Sequence, residues 1–287
     1  MTYSRISGEE LAIALKYLER QANFSSLKLL NCKFENKETL LLSKVVKESK
    51  TLEHLSLKHS EIEKQGVEKL VEAIRECETL NRFSFPSKFV EYGGDMFLFC
   101  MKKKEWVDME IEMEKGKEGE VLEILNKIEG LKVLSVSYGY FVETICSFVR
   151  KNKSVTCLEI YDWNMRNKGA KMVGEALKEN KAITTLNIED NSISTEGGIA
   201  FLECVEKNEV LREIEFGPEE HEDSEDSFEN FIPEEILEKI KVKLGKNREE
   251  AERKRKVKIG MMILQKRKGN IVSSVPRRLL VHLLQFF

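Results

Sequence analysis

The sequence predicts a curved α/β solenoid, with a parallel sheet lining one side and helices the other. Three observations predict it. An apolar frame recurs every 28 residues, as Phe24-x-x-Leu27-x-Leu29, Leu52-x-x-Leu55-x-Leu57 and Leu80-x-x-Phe83-x-Phe85, and returns at Val155, Ile183 and Leu211. Inside each frame apolar and polar residues alternate, as in a half-buried strand. After each frame comes a helical stripe, such as Val67, Leu70, Val71 and Ile74. A strand–helix unit of this size cannot bury its apolar face alone, so a fixed period of this kind means stacked neighbours sharing one core.

The elements follow in order. Residues 1–23 read as an N-terminal capping helix with Leu11, Ile13, Leu15 and Leu18 on one face. Repeats span 24–217 and supply about eight strands. The fourth strand reads Asp108-Met-Glu-Ile-Glu-Met-Glu, with Ile111 and Met113 placed 28 residues after Phe83 and Phe85. The next frame, Leu131-x-x-Leu134-x-Val136, arrives after 23 residues and the following one after 24, so two central units are short. Residues 218–232 form an acidic loop, with seven Asp or Glu and no basic residue between Glu219 and Glu229. Residues 233–248 read as a C-terminal capping helix opened by Pro233. Residues 249–287 read as a basic tail, with Arg253-Lys254-Arg255-Lys256 and a terminal amphipathic helix carrying Leu279, Leu280, Leu283 and Leu284.

The clearest unit is Ile183-Thr-Thr-Leu186-Asn-Ile188-Glu-Asp-Asn191-Ser-Ile193, followed by Gly197-Gly198. It fits L-x-x-L-x-L-x-x-N-x-I and resembles the leucine-rich repeat family in its long ribonuclease-inhibitor-like subtype, which tropomodulin and the Ran GTPase-activating protein share. Cys32 takes the place of Asn191 in the first unit, while Ser60 and Trp163 depart from the pattern. The resemblance implies a concave sheet used as a binding surface and outer helices. The tail segment Val275-Pro276-x-x-Leu279-Leu280-x-x-Leu283-Leu284-x-Phe286 resembles the first helix of an F-box.

Composition narrows the function. A net charge of -3 gives no global pull toward nucleic acid or membrane, and no run of about 18 apolar residues exists. The N-terminus has no apolar signal core, so a cytoplasmic location is expected, with the basic cluster allowing a nuclear one. The six cysteines form no C-x-x-C pair and read as reduced, mostly buried thiols. The basic stretch lacks aromatics, so it does not read as a platform for single-stranded nucleic acid.

No catalytic constellation emerges. The four histidines, His54, His59, His221 and His282, lack Cys or carboxylate partners at ligand spacing, and no phosphate-binding glycine motif occurs. Arg82 and Arg166 match no motif for GTPase activation. No metal and no cofactor are expected.

Strand side chains that point away from the core line the hollow of such a solenoid. The first three units contribute Lys28, Lys58 and Arg82, and the later ones contribute glutamates. The candidate partner-binding residues are Glu110, Glu112, Tyr138, Glu159, Tyr161, Trp163, Glu189 and Glu213. Aromatics beside charge are the usual composition of a binding hot spot. The alternative for Trp163 is packing under a loop. The expected function is a non-enzymatic protein-interaction scaffold that takes a partner's basic segment, with the chain's own basic tail (Arg253, Lys254, Arg255, Lys256) as a competing ligand. Two alternatives stay open: an F-box-like substrate receptor of a ubiquitin ligase, and a tropomodulin-like cytoskeletal regulator.

Overall fold

A computed structural model describes residues 2–4, 8–20, 23–102, 106, 108–128, 130–137, 139, 142–217 and 232–267. The chain opens with β1 (Thr2–Ser4) and α1 (Gly8–Arg20). Two units with a second short strand follow: β2 (Ser26–Leu30), β3 (Lys33–Phe34), α2 (Asn36–Glu48), then β4 (His54–Ser56), β5 (Glu61–Ile62), α3 (Lys64–Glu76). The third and fourth are β6 (Arg82–Pro86), α4 (Lys88–Lys102), β7 (Asp108–Glu112) and α5 (Glu118–Leu125). Next come β8 (Val133–Ser137), α6 (Val142–Lys151), β9 (Cys157–Tyr161) and α7 (Arg166–Glu179). The series closes with β10 (Thr185–Asn187), α8 (Thr195–Lys207), β11 (Glu213–Glu215) and α9 (Glu234–Arg267).

Nine strands pair in parallel, in the order β1-β2-β4-β6-β7-β8-β9-β10-β11. Register places Leu27, Leu55, Phe83, Met109, Leu134, Leu158, Leu186 and Ile214 in one row across the sheet. Phe85, Ile111, Val136 and Ile160 form the row beside it. Every member except Ile214 is buried. Burying each such side chain favours folding by roughly 1.5–3 kcal/mol, and the contacts cross from unit to unit.

The structure adds to or shifts these expectations at three places. The eight repeat strands are joined by a ninth at the edge, because Thr2–Ser4 pairs with β2 (Thr2↔Lys28), so a short strand precedes the capping helix α1. A three-residue edge strand carries no repeat signal. Met109 stands opposite Phe83 and Ile111 opposite Phe85, two residues earlier than the 28-residue period puts them. The third unit passes from β6 to α4 through Ser87 alone, so it is short as well. The boundary expected at residue 248 falls inside α9, which runs unbroken through the basic cluster.

Polar ladders lock the stack. At the helix-to-strand turns, Asn180 donates to the carbonyls of Val149 and Asn152, and accepts from the N–H groups of Ala182 and Ile183. Asn208 repeats the pattern one unit on, toward Leu177, Asn180, Val210 and Leu211. Asn247 of α9 completes it by donating to Asn208 and Leu211, both at 2.8 Å. Leu237, Ile240 and Leu244 of α9 are buried with the core, and α9 packs on α8. On the opposite rim Asn191 donates to the carbonyls of Ile160, Ile188 and Glu189 and accepts from the N–H of Trp163. Ser60, which departs from the consensus, still bridges units: its hydroxyl donates to the Leu29 carbonyl (3.0 Å) and accepts from the Cys32 N–H (3.1 Å).

The helical layer closes up at glycine. A Cβ on Gly66 of α3 would lie 2.7 Å from Thr39 Oγ1 of α2, so only glycine lets these helices meet so closely. Asn208→Ala should cost about 3 kcal/mol, because four backbone groups lose a buried partner at once. Urea denaturation of the wild type and the variant measures this.

Candidate functional site: the concave face of the sheet

The exposed side of the sheet is read row by row from the register. One row runs Lys28, Ser56, Ser84, Glu110, Ser135, Glu159, Asn187, Glu215. Its neighbour runs Ser26, His54, Arg82, Asp108, Val133, Cys157, Thr185, Glu213. Adjacent strands lie roughly 4.8 Å apart, so charges in neighbouring units add to one field. The small members Ser56, Ser84, Ser135 and Asn187 are buried beneath their longer neighbours.

The face divides by sign. Lys28, His54, Lys58 and Arg82 stand in the first three units. Burial, then the Lys28 and Arg82 charges, hold the His54 imidazole below its ordinary range, so it is neutral at physiological pH. Glu159, Glu189, Glu213 and Glu215 stand in the last three. Asn187 donates to Glu215 at 2.7 Å, and Ser135 donates to Glu159. Burial and then Glu159 push the Tyr161 phenol above its ordinary range, so it remains a neutral hydroxyl beside the carboxylates.

The junction neutralises itself. Lys58 forms an ion pair with Glu110. His59 places Nδ1 2.7 Å from one oxygen of Glu112 and donates its backbone N–H to the other at 2.6 Å. Both contacts reach from the second unit to the fourth, across the third. Glu110 and Glu112, expected in the acidic partner-binding set, are thus engaged within the chain.

Other expected residues fall differently. Glu159 and Tyr161 are half-buried on β9, Glu189 half-buried past β10, and Glu213 exposed on β11. Trp163 is not a surface aromatic: it is 2% exposed, and a Cβ on Gly139 would sit 2.0 Å from its ring. The indole packs flat on the Gly139 backbone, which removes it from a partner's reach. Tyr138 lies outside the described residues, as do Leu279, Leu280, Leu283 and Leu284. Arg253, Lys254, Arg255 and Lys256 are exposed on α9, where Arg253 and Lys254 pair with Glu250 (3.1 and 3.6 Å).

Asp108 belongs to this face and was missed by the sequence reading, although it lies two residues before Glu110 and period-two alternation puts both on one side. Its Oδ1 is buried and has no hydrogen-bond partner among the described residues. Burial, then the charges of Glu159 and Glu110, raise its carboxyl from 3.8 to about 6. Two strands along the same row the Cys157 thiol is pushed up to about 11, by burial first and Glu159 next, so it is no nucleophile at neutral pH. Cys32, Cys77, Cys146 and Cys204 are buried. Among the described residues no group of three or more His, Cys, Asp or Glu could hold a metal ion, and no helix is long and apolar enough to cross a membrane.

A carboxyl whose folded pKa is raised keeps its proton where the unfolded chain has lost it, so it destabilises the fold as pH climbs from about 4 through 6. Asp108→Asn should therefore stabilise the protein at pH 7.5 by about 1 kcal/mol after allowance for solvent screening, with the gain shrinking toward zero by pH 4. Thermal denaturation of both proteins across that pH range checks the sign.

A family model described as "Leucine Rich repeat" matches residues 48–71 and 179–202. Each match runs from a helix end through a strand to the next helix. None of the curated proteins compared matches the chain. Among solved structures, leiomodin-1, determined as its actin-binding site 2, is 15% identical with a TM-score of 0.41, covering 53% of this chain and 80% of its own. A protein from Bacteroides fragilis is 10% identical with a TM-score of 0.45, covering 74% of this chain and 73% of its own. The repeating frame, the parallel sheet in register, the asparagine ladders and the family match at two of the units together show a leucine-rich-repeat solenoid.

Proposed function

We propose that this protein is a non-catalytic interaction scaffold that binds a basic segment of a protein partner on the acidic half of its concave face. One observation carries the reading. The Lys58 ion pair and the His59 hydrogen bonds engage the glutamates at the centre, while Glu213 and Glu215, farther along the hollow, stand opposite Thr185 and Asn187 with no lysine or arginine beside them in the register rows. Carboxylates held on neighbouring parallel strands present a fixed array of negative charge, which steers and orients a cationic partner. Tyr161 sits beside that array with a neutral hydroxyl and a ring face, which suits it to anchor an arginine or lysine stem.

The pattern of charge explains why the acidic half, and not the centre, is assigned to the partner. A ligand that displaced Lys58 or His59 would first have to break contacts already made, whereas one that met Glu189 and Glu213 would not. The hydrogen bonds of Asn187 to Glu215 and of the Glu189 N–H to Asn187 (3.0 Å) fix the carboxylate-bearing backbone before any partner arrives.

Binding of a fluorescein-labelled nona-arginine peptide tests the surface. The double reversal Glu189→Lys/Glu213→Lys should weaken it about tenfold in low salt, and wild-type affinity should fall steeply as salt rises. An equal charge change on the helical side, Glu203→Lys/Glu206→Lys, should have little effect. Equal losses from both pairs would count against a concave site.

A further inference from the structure

We infer that the rim of the third unit is a second binding site, which takes an extended peptide segment as an added strand beside β5. In the first two units the strand is followed by a left-handed residue, Asn31 or His59 (φ 55° in both), and then by a second short strand. The third unit has neither. β6 ends at Pro86 and α4 begins at Lys88. The two-stranded rim sheet therefore stops at β5, which pairs with β3 on one side and has no strand on the other among the described residues. A groove of about 410 Å³ opens where the third rim strand would lie. That size is at the lower end of peptide- and ligand-sized sites.

The backbone faces the right way. In a strand the N–H and C=O of one residue point to the same side, and successive residues alternate. The Glu61 N–H bonds the Cys32 carbonyl at 2.9 Å, toward β3. The N–H and C=O of Ile62 consequently face the groove. Addition of a strand to an open sheet edge supplies affinity through the main chain and selectivity through alternate side chains.

The side-chain rows define the occupant. Lys33 stands opposite Glu61, and Phe34 opposite Ile62. On the far wall of the groove stand Glu112, Met113 and Glu114 of the fourth unit. A residue added next to Glu61 faces that exposed carboxylate, which calls for lysine or arginine; the far glutamates are already engaged, Glu112 with His59 and Glu114 with Lys88 at 3.7 Å. A residue added next to Ile62 lies between Ile62 and Met113, both buried, which calls for an aliphatic side chain. Glu63 adds a further carboxylate at the lip, against Lys33 and Lys88. The site thus fits an extended segment of a protein partner that alternates aliphatic and basic residues. It is separate from the concave acidic set, since none of Glu159, Glu189, Glu213 and Glu215 lines it.

The test uses the full-length protein and a fluorescein-labelled peptide, Lys-Val-Lys-Val-Lys-Val-Lys, followed by fluorescence anisotropy. Two derivatives are N-methylated, one at the valines and the other at the inner lysines. Strand addition requires that one of the two lose at least tenfold in affinity while the other keeps its binding, because only alternate amides face β5. Glu61→Arg/Glu63→Arg, both at exposed positions and checked for folding by circular dichroism, should weaken the unmodified peptide about tenfold. Glu189→Lys/Glu213→Lys should leave it unchanged, which separates this site from the concave one. No binding of the unmodified peptide, equal effects of the two methylations, or indifference to Glu61→Arg/Glu63→Arg would overturn the inference.

Discussion

Lateral pairing between units is the constraint on which this structure rests. No single strand and helix here encloses a core. Leu158 is buried because Leu134 and Leu186 flank it in the register, and the same holds along the row. The backbone carries the matching requirement. Turns between helix and strand leave carbonyls and N–H groups under the apolar layer, where an unmet group costs about 1–3 kcal/mol. Asn180, Asn208 and Asn247 meet those groups one unit after another. At the last unit the partner comes from α9, so the closing helix satisfies polar groups as well as covering apolar ones.

The same register that builds the core creates the charged face. A side chain placed every second residue and every unit has no choice of neighbours. Lys58 meets Glu110 and His59 meets Glu112 because the third unit lacks a rim loop that would stand between them. This shortened unit therefore shapes two surfaces. It lets the basic and acidic halves neutralise one another at their junction, and it leaves the edge of β5 open. Aromatic packing takes up the missing volume beneath: Phe83 and Phe85 stack at 4.4 Å, and Phe89 meets both.

Much of the fold was legible because burial imposes a period that composition cannot hide. Leucine, isoleucine or phenylalanine at fixed spacing announced six of the strands directly. The fourth strand was placed but its alignment was not. Met109, Ile111 and Met113 alternate so regularly that a slip of two residues keeps every side chain on its proper face, and only the lost loop of the preceding unit decides between them. β1 was invisible for a different reason, since three residues at an edge need no apolar pattern. On the concave face, the sign change was legible from period two. The pairing of Lys58 with Glu110 was not, because it depends on reach across an intervening unit. Trp163 looked like an anchor, and its burial depends on a glycine in the preceding unit that offers bare backbone to the ring.

The central claim is that interior units have no stability of their own and share one. Native-state hydrogen exchange across a rising series of low urea concentrations tests it most directly. If neighbours hold one another, the core amides of β8, β9 and β10 will open with a common free energy and a common denaturant dependence, while β1 at the edge opens more readily. Separate opening free energies for β8, β9 and β10, each with its own shallow urea slope, would contradict it.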